Sequence, residues 1–292
     1  MRRNFIPTRL FSPLFHWMFM RKLSSSFPNF SQMRSVMRSP LIDVMQFLLL
    51  VWGLYWLAAI SIENISYNWQ WYQIPRLIYS WDDNGFTAGP LLQGLQVTMK
   101  ISVISLFFSL VIGLVTAIFR LSSSPVASTL ARIYLETSRN TPLLIQIFFI
   151  YFVLGPVLGL ERVPAAILAL SLFEGAYASE IFRSGILSVS KGQYEAAYSL
   201  GHSSYHTYRY IILPQAVRTM LPPLTSQTIS LIKDSALVST IAIYDLTMQA
   251  QALIAETYLT FEIWFTVAAM YLIITLILSM VVSLLERRMK LS

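Results

Sequence analysis

Apolar runs of about twenty residues, separated by short polar gaps, constrain this chain more than any other feature. A run of that length spans the hydrocarbon core of a bilayer as a helix. Backbone in lipid must satisfy its own hydrogen bonds, which leaves helices or closed barrels. Segments 41–62, 97–119, 141–160, 164–182 and 263–285 qualify. Segment 217–244 is weaker, because Pro222-Pro223 and Lys233-Asp234 interrupt it, and it counts as one broken span. Composition agrees: 55% of the 292 residues are hydrophobic and only 12% are charged, too apolar for an ordinary soluble domain. The expectation is an all-α, polytopic membrane helix bundle with about six transmembrane helices. With no Cys in the chain, disulfides, iron–sulfur clusters and thiolate zinc sites are excluded.

Basic residues set the orientation. If the N-terminus lies in the cytoplasm and the spans alternate, the inside segments are 1–40, 120–140, 183–218 and 286–292. These hold 17 of the 21 Lys and Arg residues, while the outside segments hold only Arg76 and Arg162. That asymmetry places both termini in the cytoplasm. Residues 1–40 form a basic cytoplasmic tail with seven Arg or Lys and no acid. Beside a span, such a tail more often follows the positive-inside rule than serves as a nucleic-acid arm; being Arg- and Ser-rich and free of acid, it leaves an organelle transit peptide as a minor alternative. Its apolar part, "LFHWMFM", is short and no small-residue cleavage site follows, which argues against a cleaved signal peptide.

The extracytoplasmic loop 63–89 carries Trp69, Trp71, Tyr72, Tyr79 and Trp81, followed by Asp82, Asp83 and Gly85. Two readings stand: an aromatic belt at the headgroup layer, or a contact surface for an external partner. Every polar segment is too short for a soluble domain, and no G-x-x-x-x-G-K-[ST] run is present. A nucleotide-hydrolysing domain is therefore not expected in this chain.

The segment "KGQYEAAYSLGHSSYHTYRYIILPQ", Lys191–Gln215, is polar between greasy neighbours. "QYEAAYSL" has good helix formers, with Glu195 expected in the first turn, where the helix dipole favours an acid. Gly201 then tolerates the left-handed conformation that ends helices. A second helix starts at Ser residues suited to an N-cap and is expected to stop at Pro214. Two short helices meeting at a Gly make a compact knob projecting into the cytoplasm. Ala196 and Ala197 leave room for another surface to approach the backbone.

The spacing Glu195-Ala196-Ala197, three residues, Gly201, nine residues, Ile211-x-Leu213-Pro214 resembles the cytoplasmic signature of bacterial ABC importer permeases. "TPLLIQIFFIYF", "GAYASEIFRSGILSVSKGQ", "LPQAVRTMLPPL" and "SLIKDSALVSTI" are similar to blocks of the permeases for polar amino acids: histidine, glutamine, glutamate, arginine and opines. The chain departs from them at Asn140, where Gly is usual, at Gln227, where Asn is usual, and at Ala236, which has lost a hydroxyl. The resemblance implies a type I ABC importer transmembrane domain at 90–287 with its coupling loop at 183–218, and an extra N-terminal transmembrane helix at 41–62. It implies that Glu195, Ala196, Ala197, Gly201, Ile211, Leu213 and Pro214 couple to a separate ABC ATPase. ATP and Mg would be bound by that partner, leaving this transport subunit without a cofactor and without enzymatic activity of its own. It also implies a second permease subunit, the same or different, an extracytoplasmic solute-binding protein, and a place in the bacterial cytoplasmic (inner) membrane. A swing between states from 1:99 to 99:1 takes about 5.5 kcal/mol of differential binding, which points to partners as the source.

Charges within the spans are costly, about 2.5–3.5 kcal/mol each at mid-span on insertion scales. Glu174, Glu180, Arg183, Lys233 and Asp234 are the candidate substrate path, since a zwitterion needs a cation for its carboxylate and an anion for its ammonium. The opposing reading is structural: Glu180 with Arg183 as an ion pair three residues apart, and Lys233 with Asp234 as a cap near the outer headgroups. Glu174 has no partner nearby in sequence. Lys100 is placed to snorkel outward. Gly113 and Ala117 form a small-xxx-small pair that can seat a neighbouring helix. His202 and His206 are four apart, but lack the H-E-x-x-H pattern and a nearby acid, so no metal site is expected. A membrane-embedded enzyme or an ion channel are the alternatives; the first needs a convergent catalytic set and the second a filter or charged ring, and neither stands out.

Overall fold

The computed structural model describes residues 40–64, 67–82 and 85–290. The basic tail 1–39 and the loop-tip residues 83–84 lie outside the described residues. The chain divides into two compact units, Met1–Asn68 and Trp69–Ser292. In the first, α1 (Pro40–Asn64) is one apolar helix of 25 residues, roughly 37 Å long at helical rise.

The second unit opens with a helical turn at Trp71–Gln73, a short helix α2 (Ile74–Ile78) and an antiparallel hairpin, β1 (Tyr79–Asp82) with β2 (Gly85–Ala88). Then come α3 (Pro90–Leu121), α4 (Pro125–Arg139), α5 (Leu143–Phe148), α6 (Gly155–Leu158), α7 (Arg162–Leu187), α8 (Lys191–Ser199), α9 (Ser204–His206), α10 (Leu213–Asp234), α11 (Leu246–Thr257) and α12 (Thr260–Lys290). The helices α3, α7 and α12 are long and apolar enough to cross a membrane. Two bent pairs pass the same test only when each is taken as one unit: Pro125–Arg139 with Leu143–Leu158, bent by 108°, and Ser204–Ile241 with Leu246–Thr257, bent by 50°. Up to five spans thus lie in the second unit, and α1 is the sixth helix expected from sequence.

The centre of the bundle is α3 packed along α7. The buried face of α3 is small: Gly94, Thr98, Ser102, Ser105, Ser109, Gly113 and Ala117 recur at helical spacing. Such residues let backbones approach, which matters in lipid, where burial of apolar surface gives little drive to associate. A Cβ on Gly113 would come within 2.8 Å of the Ala178 Cβ and 3.0 Å of the Gly175 carbonyl oxygen. Gly175 receives Ile112 in return, 3.0 Å from where its own Cβ would be. Gly113 therefore seats α7, with Ala117 buried one turn on.

Three apolar clusters flank this seam. One joins Ile101, Leu143, Ile147 and Ile150 to Ala166, Leu170, Val238 and Ile241. A second joins Ile74 and Leu77 of α2 to Leu91, Leu246, Leu253, Leu259 and Ile263. The third, Val189, Ile212, Ala216 and Met220, lies beneath the polar segment.

Several sequence expectations change. The 120–140 segment is mostly the helix α4, begun by Pro125 and capped by Ser124, whose hydroxyl accepts from the Ala127 N–H at 3.4 Å. Pro222 and Pro223 do not interrupt α10. Pro222 and Pro223 offer no N–H to the carbonyls of Arg218 and Thr219, a loss that membrane helices tolerate; just beyond them Thr225 Oγ1 donates to the carbonyls of Pro222 (2.7 Å) and Leu221 (3.0 Å). Nor does Lys233-Asp234 break the span. The chain passes through a tight helical segment, Ser235–Ile241, and turns at Ala242, whose φ of 58° is left-handed.

Candidate functional site

The polar segment folds as a knob. Its first helix, α8, starts at Lys191, so Glu195 sits on the second turn and not in the first as expected. The good helix formers extend the helix backwards to Ser190, and the dipole argument for Glu195 falls away. At the far end Gly201 has φ +77°. The His202 N–H bonds the Ala197 carbonyl at 3.1 Å and the Gly201 N–H bonds Tyr198 at 3.0 Å. This pair of bonds is a Schellman motif, which ties off the last carbonyls of a helix and favours Gly at that position. Ala197 is buried inside the knob, whereas Glu195 and Ala196 are exposed. The two alanines therefore divide the work: Ala197 lets α8 sit on its own base, and Ala196 is open to another surface.

Ser203 caps the second half, its hydroxyl accepting from the His206 N–H at 3.4 Å. The helix does not stop at Pro214. A wide helical turn over Thr207–Ile212 precedes it, and Pro214 lies in the first turn of α10. Proline lacks an N–H and presses on the carbonyl four residues back, but a first turn accepts it. The same solution recurs at Phe149–Leu154, a wide turn ahead of Gly155-Pro156. The knob is thus continuous with a membrane helix. Ile211 packs on the cluster formed by Ile212, Ala216 and Met220. Leu213 and Pro214 line a groove of about 450 Å³ with Arg209, Val217, Arg218 and Leu221. Tyr194 meets Tyr208 edge-on at 5.9 Å, bracing the two halves. Burial and the neighbouring Tyr208 hold the Tyr194 phenol above its usual range. The outer rim is apolar: Leu200 is 78% exposed, with Tyr198, Tyr205 and Tyr210 beside it. His202 and His206 are exposed as well, and His206 stacks on Tyr210 at 5.7 Å. Among the described residues no three His, Cys, Asp or Glu side chains are grouped to hold a metal.

Within the bundle, Glu174 of α7 is only 1% exposed. It has a partner that sequence proximity does not reveal: the Gln227 amide on α10 donates to its Oε2. Asp234, seven residues after Gln227 and so on the same helical face, brings its carboxyl beside Glu174. Glu174 Oε1 is buried without a hydrogen bond. Asp234 is half-buried beside Glu174, while Lys233 is exposed. At the residue after Asp234, Ser102 donates to Ser235 at 3.2 Å, tying α3 to the end of α10.

Glu180 and Arg183 form the expected pair, Nη2 to Oε2 at 2.9 Å. Arg120 joins from the end of α3, donating to the other carboxylate oxygen. Arg139 lies over the Tyr177 ring, 5.4 Å from its centroid. The end of the bundle nearest the knob thus gathers three arginines round one carboxylate. A further buried group escaped sequence reasoning. Asp245 is fully buried and caps α11 through the Met248 N–H at 2.9 Å, while Thr98 accepts from the Leu246 N–H at 3.1 Å. The helix-start pattern Asp245-x-x-Met248 was available in the sequence, but its burial against α3 was not.

The family model described as "Binding-protein-dependent transport system inner membrane component" matches residues 109–291. The glutamine transport system permease protein GlnP of Escherichia coli (strain K12) is 43% identical over 203 residues, 68% of this chain and 93% of that protein. The L-cystine transport system permease protein TcyB of Bacillus subtilis (strain 168) is 39% identical over 213 residues, 72% of this chain and 91% of that one. Among solved structures, an amino acid ABC transporter crystallised with histidines superposes with a TM-score of 0.65 at 38% identity, covering 68% of this chain and 94% of that one. The MetNI methionine transporter in an inward-facing form shares the fold, with a TM-score of 0.59 at 20% identity. With most of the length of such relatives covered, and the bundle, knob and signature spacing in place, the chain belongs to the inner membrane components of binding-protein-dependent transport systems.

Proposed function

We propose that this chain is the membrane-spanning permease subunit of an ATP-driven importer for polar amino acids. Hydrolysis is carried by a separate ABC ATPase, which binds ATP and Mg and grips the knob from the cytoplasm. The observation that carries this reading is the knob itself: a Gly-closed helix with Glu195 and Ala196 outward, running through Pro214 without a hinge loop into α10. A push on that knob turns a membrane helix. The permease pairs with a second copy or a sister subunit in the bacterial cytoplasmic membrane, both termini inside. An extracytoplasmic solute-binding protein delivers the substrate.

The substrate path runs past Glu174 and Asp234, with Lys233 at its outer edge. The buried Glu174 carboxyl and the half-buried Asp234 beside it offer a site for an ammonium, and Lys233 a cation for a carboxylate. Glu180 and Arg183, locked with Arg120, serve as an inner clamp. The names of the relatives, glutamine and cystine permeases, support the substrate class.

The test is uptake of labelled amino acids into proteoliposomes holding the complex purified through a tag on this chain. ATP-dependent uptake of a polar amino acid, lost with Glu195→Lys at unaltered assembly in the membrane, is the expected result. Uptake that proceeds down a gradient without ATP would make the chain a channel.

A further inference from the structure

The hairpin β1–β2 lies ahead of the family match at 109–291, and its register makes it amphipathic. Tyr79 pairs with Ala88, Ser80 with Thr87, and Trp81 with Phe86. Side chains alternate along a strand and directly paired residues share a face. Tyr79, Trp81 and Phe86 therefore occupy one face, and Ser80 and Thr87 the other. Contacts agree: Tyr79 stacks on Phe86 and Trp81 meets Phe86 edge-on, each at 6.4 Å, while the Ser80 and Thr87 hydroxyls meet at 2.5 Å. The aromatic face is open, with Trp81 79% exposed, Phe86 56% and Tyr79 49%.

The hairpin is mounted rigidly on a membrane span. The Gly89 N–H bonds the Ile78 carbonyl at 2.8 Å, and the Gln93 amide of α3 donates to the Ala88 carbonyl at 2.7 Å. Any Cβ on Gly89 would lie 2.5 Å from the Leu77 carbonyl oxygen, so the joint is closed. Ile74 and Leu77 fix α2 against Leu91 and Ile263 at the starts of α3 and α12. The positive-inside count puts those starts at the outer face of the membrane. At the same level, Trp69 stacks on Trp71 at 6.0 Å, and both lean on Phe265 of α12. The loop thus lays a second group of rings against a span.

We propose that the β1–β2 hairpin is a lipid-seated paddle, its Tyr79–Trp81–Phe86 face resting in the headgroup layer of the outer leaflet and its Ser80–Thr87 face turned to water. Its occupant is lipid because the open face carries rings and no charge, because Trp and Tyr favour that layer, and because Trp69 and Trp71 of the same loop already lie against a span, α12. A two-stranded hairpin is marginal alone in water; burial of one face in the interface supports it. It anchors the outer end of α3 at a fixed depth.

The chain has no Cys, so Ser80→Cys, Trp81→Cys, Phe86→Cys and Thr87→Cys each carry a single spin label. In phosphatidylethanolamine–phosphatidylglycerol vesicles, labels at 81 and 86 should meet oxygen more often than a water-soluble nickel chelate, and the order should reverse at 80 and 87. As a check that needs no label, headgroup-proximal brominated lipid should quench a smaller share of tryptophan emission in Trp81→Phe than in the unmodified chain. Equal water access at all four positions would overturn the proposal. So would shielding at 81 and 86 that appears only when a soluble extracytoplasmic protein is added, or quenching unchanged in Trp81→Phe.

Discussion

Glu174 is the side chain whose cost demands a reason. It is buried in the α7–α10 seam, bonded by Gln227 and faced by Asp234. Glu174→Gln keeps the shape and removes the charge. Uptake by the assembled complex is expected to fall about tenfold or more, the equivalent of ~1.4 kcal/mol, with the protein still present in the membrane. Normal uptake would remove Glu174 from the path. Gln227→Leu, which strips the amide partner and leaves a buried carboxylate without it, should lower thermal stability in detergent by a few degrees, since leaving a buried charged group unsatisfied costs about 1–3 kcal/mol or more. The Glu180–Arg183 pair was legible in the sequence because three residues is helical spacing. The Glu174–Gln227 bond was not: 53 residues separate the two, and only the packing of two helices brings them together.

Elements show the same division. The spans α3, α7 and α12 were readable because about twenty apolar residues leave a chain in lipid few options. The fate of Pro214 and the continuity of α10 past Pro222-Pro223 were misjudged for one shared reason. Proline was taken as a stop, whereas a first turn accepts it and a membrane helix can run through it. Gly201 was read correctly, because the left-handed conformation that ends α8 is open to few other residues. Gly201→Val is expected to weaken the knob by about 1–2 kcal/mol and to lower ATP-driven uptake, while Gly192→Ala, with open space around it and no left-handed backbone, should leave uptake unchanged. Equal behaviour of the two would remove the Schellman turn from the coupling device. At the α3–α7 seam, Gly113→Leu has no room beside Ala178 and Gly175, and overpacking there should cost about 1–3 kcal/mol, read as a lowered unfolding temperature of the solubilised protein.

For the whole molecule, the exposed apolar rows are the message. Leu272, Ile273, Ile277, Met280 and Val281 of α12 are all open, as suits a helix facing lipid or a neighbouring permease. The bundle holds its own polar network inside and offers two outward devices, an aromatic edge on one side and a knob on the other. The sidedness rests on the charge asymmetry of the sequence; the hairpin's two faces became visible only with the strand register. The central claim is that a separate ATPase grips the knob from the cytoplasm, and one cross-linking measurement tests it most directly. With Ala196→Cys as the sole cysteine of this chain and single cysteines placed across the surface of the copurified ATPase, the expected result is a cross-link whose yield changes with ATP. A knob that forms no cross-link to any nucleotide-hydrolysing partner, or whose cysteine reacts only with reagents confined to the outside of intact cells, would contradict it.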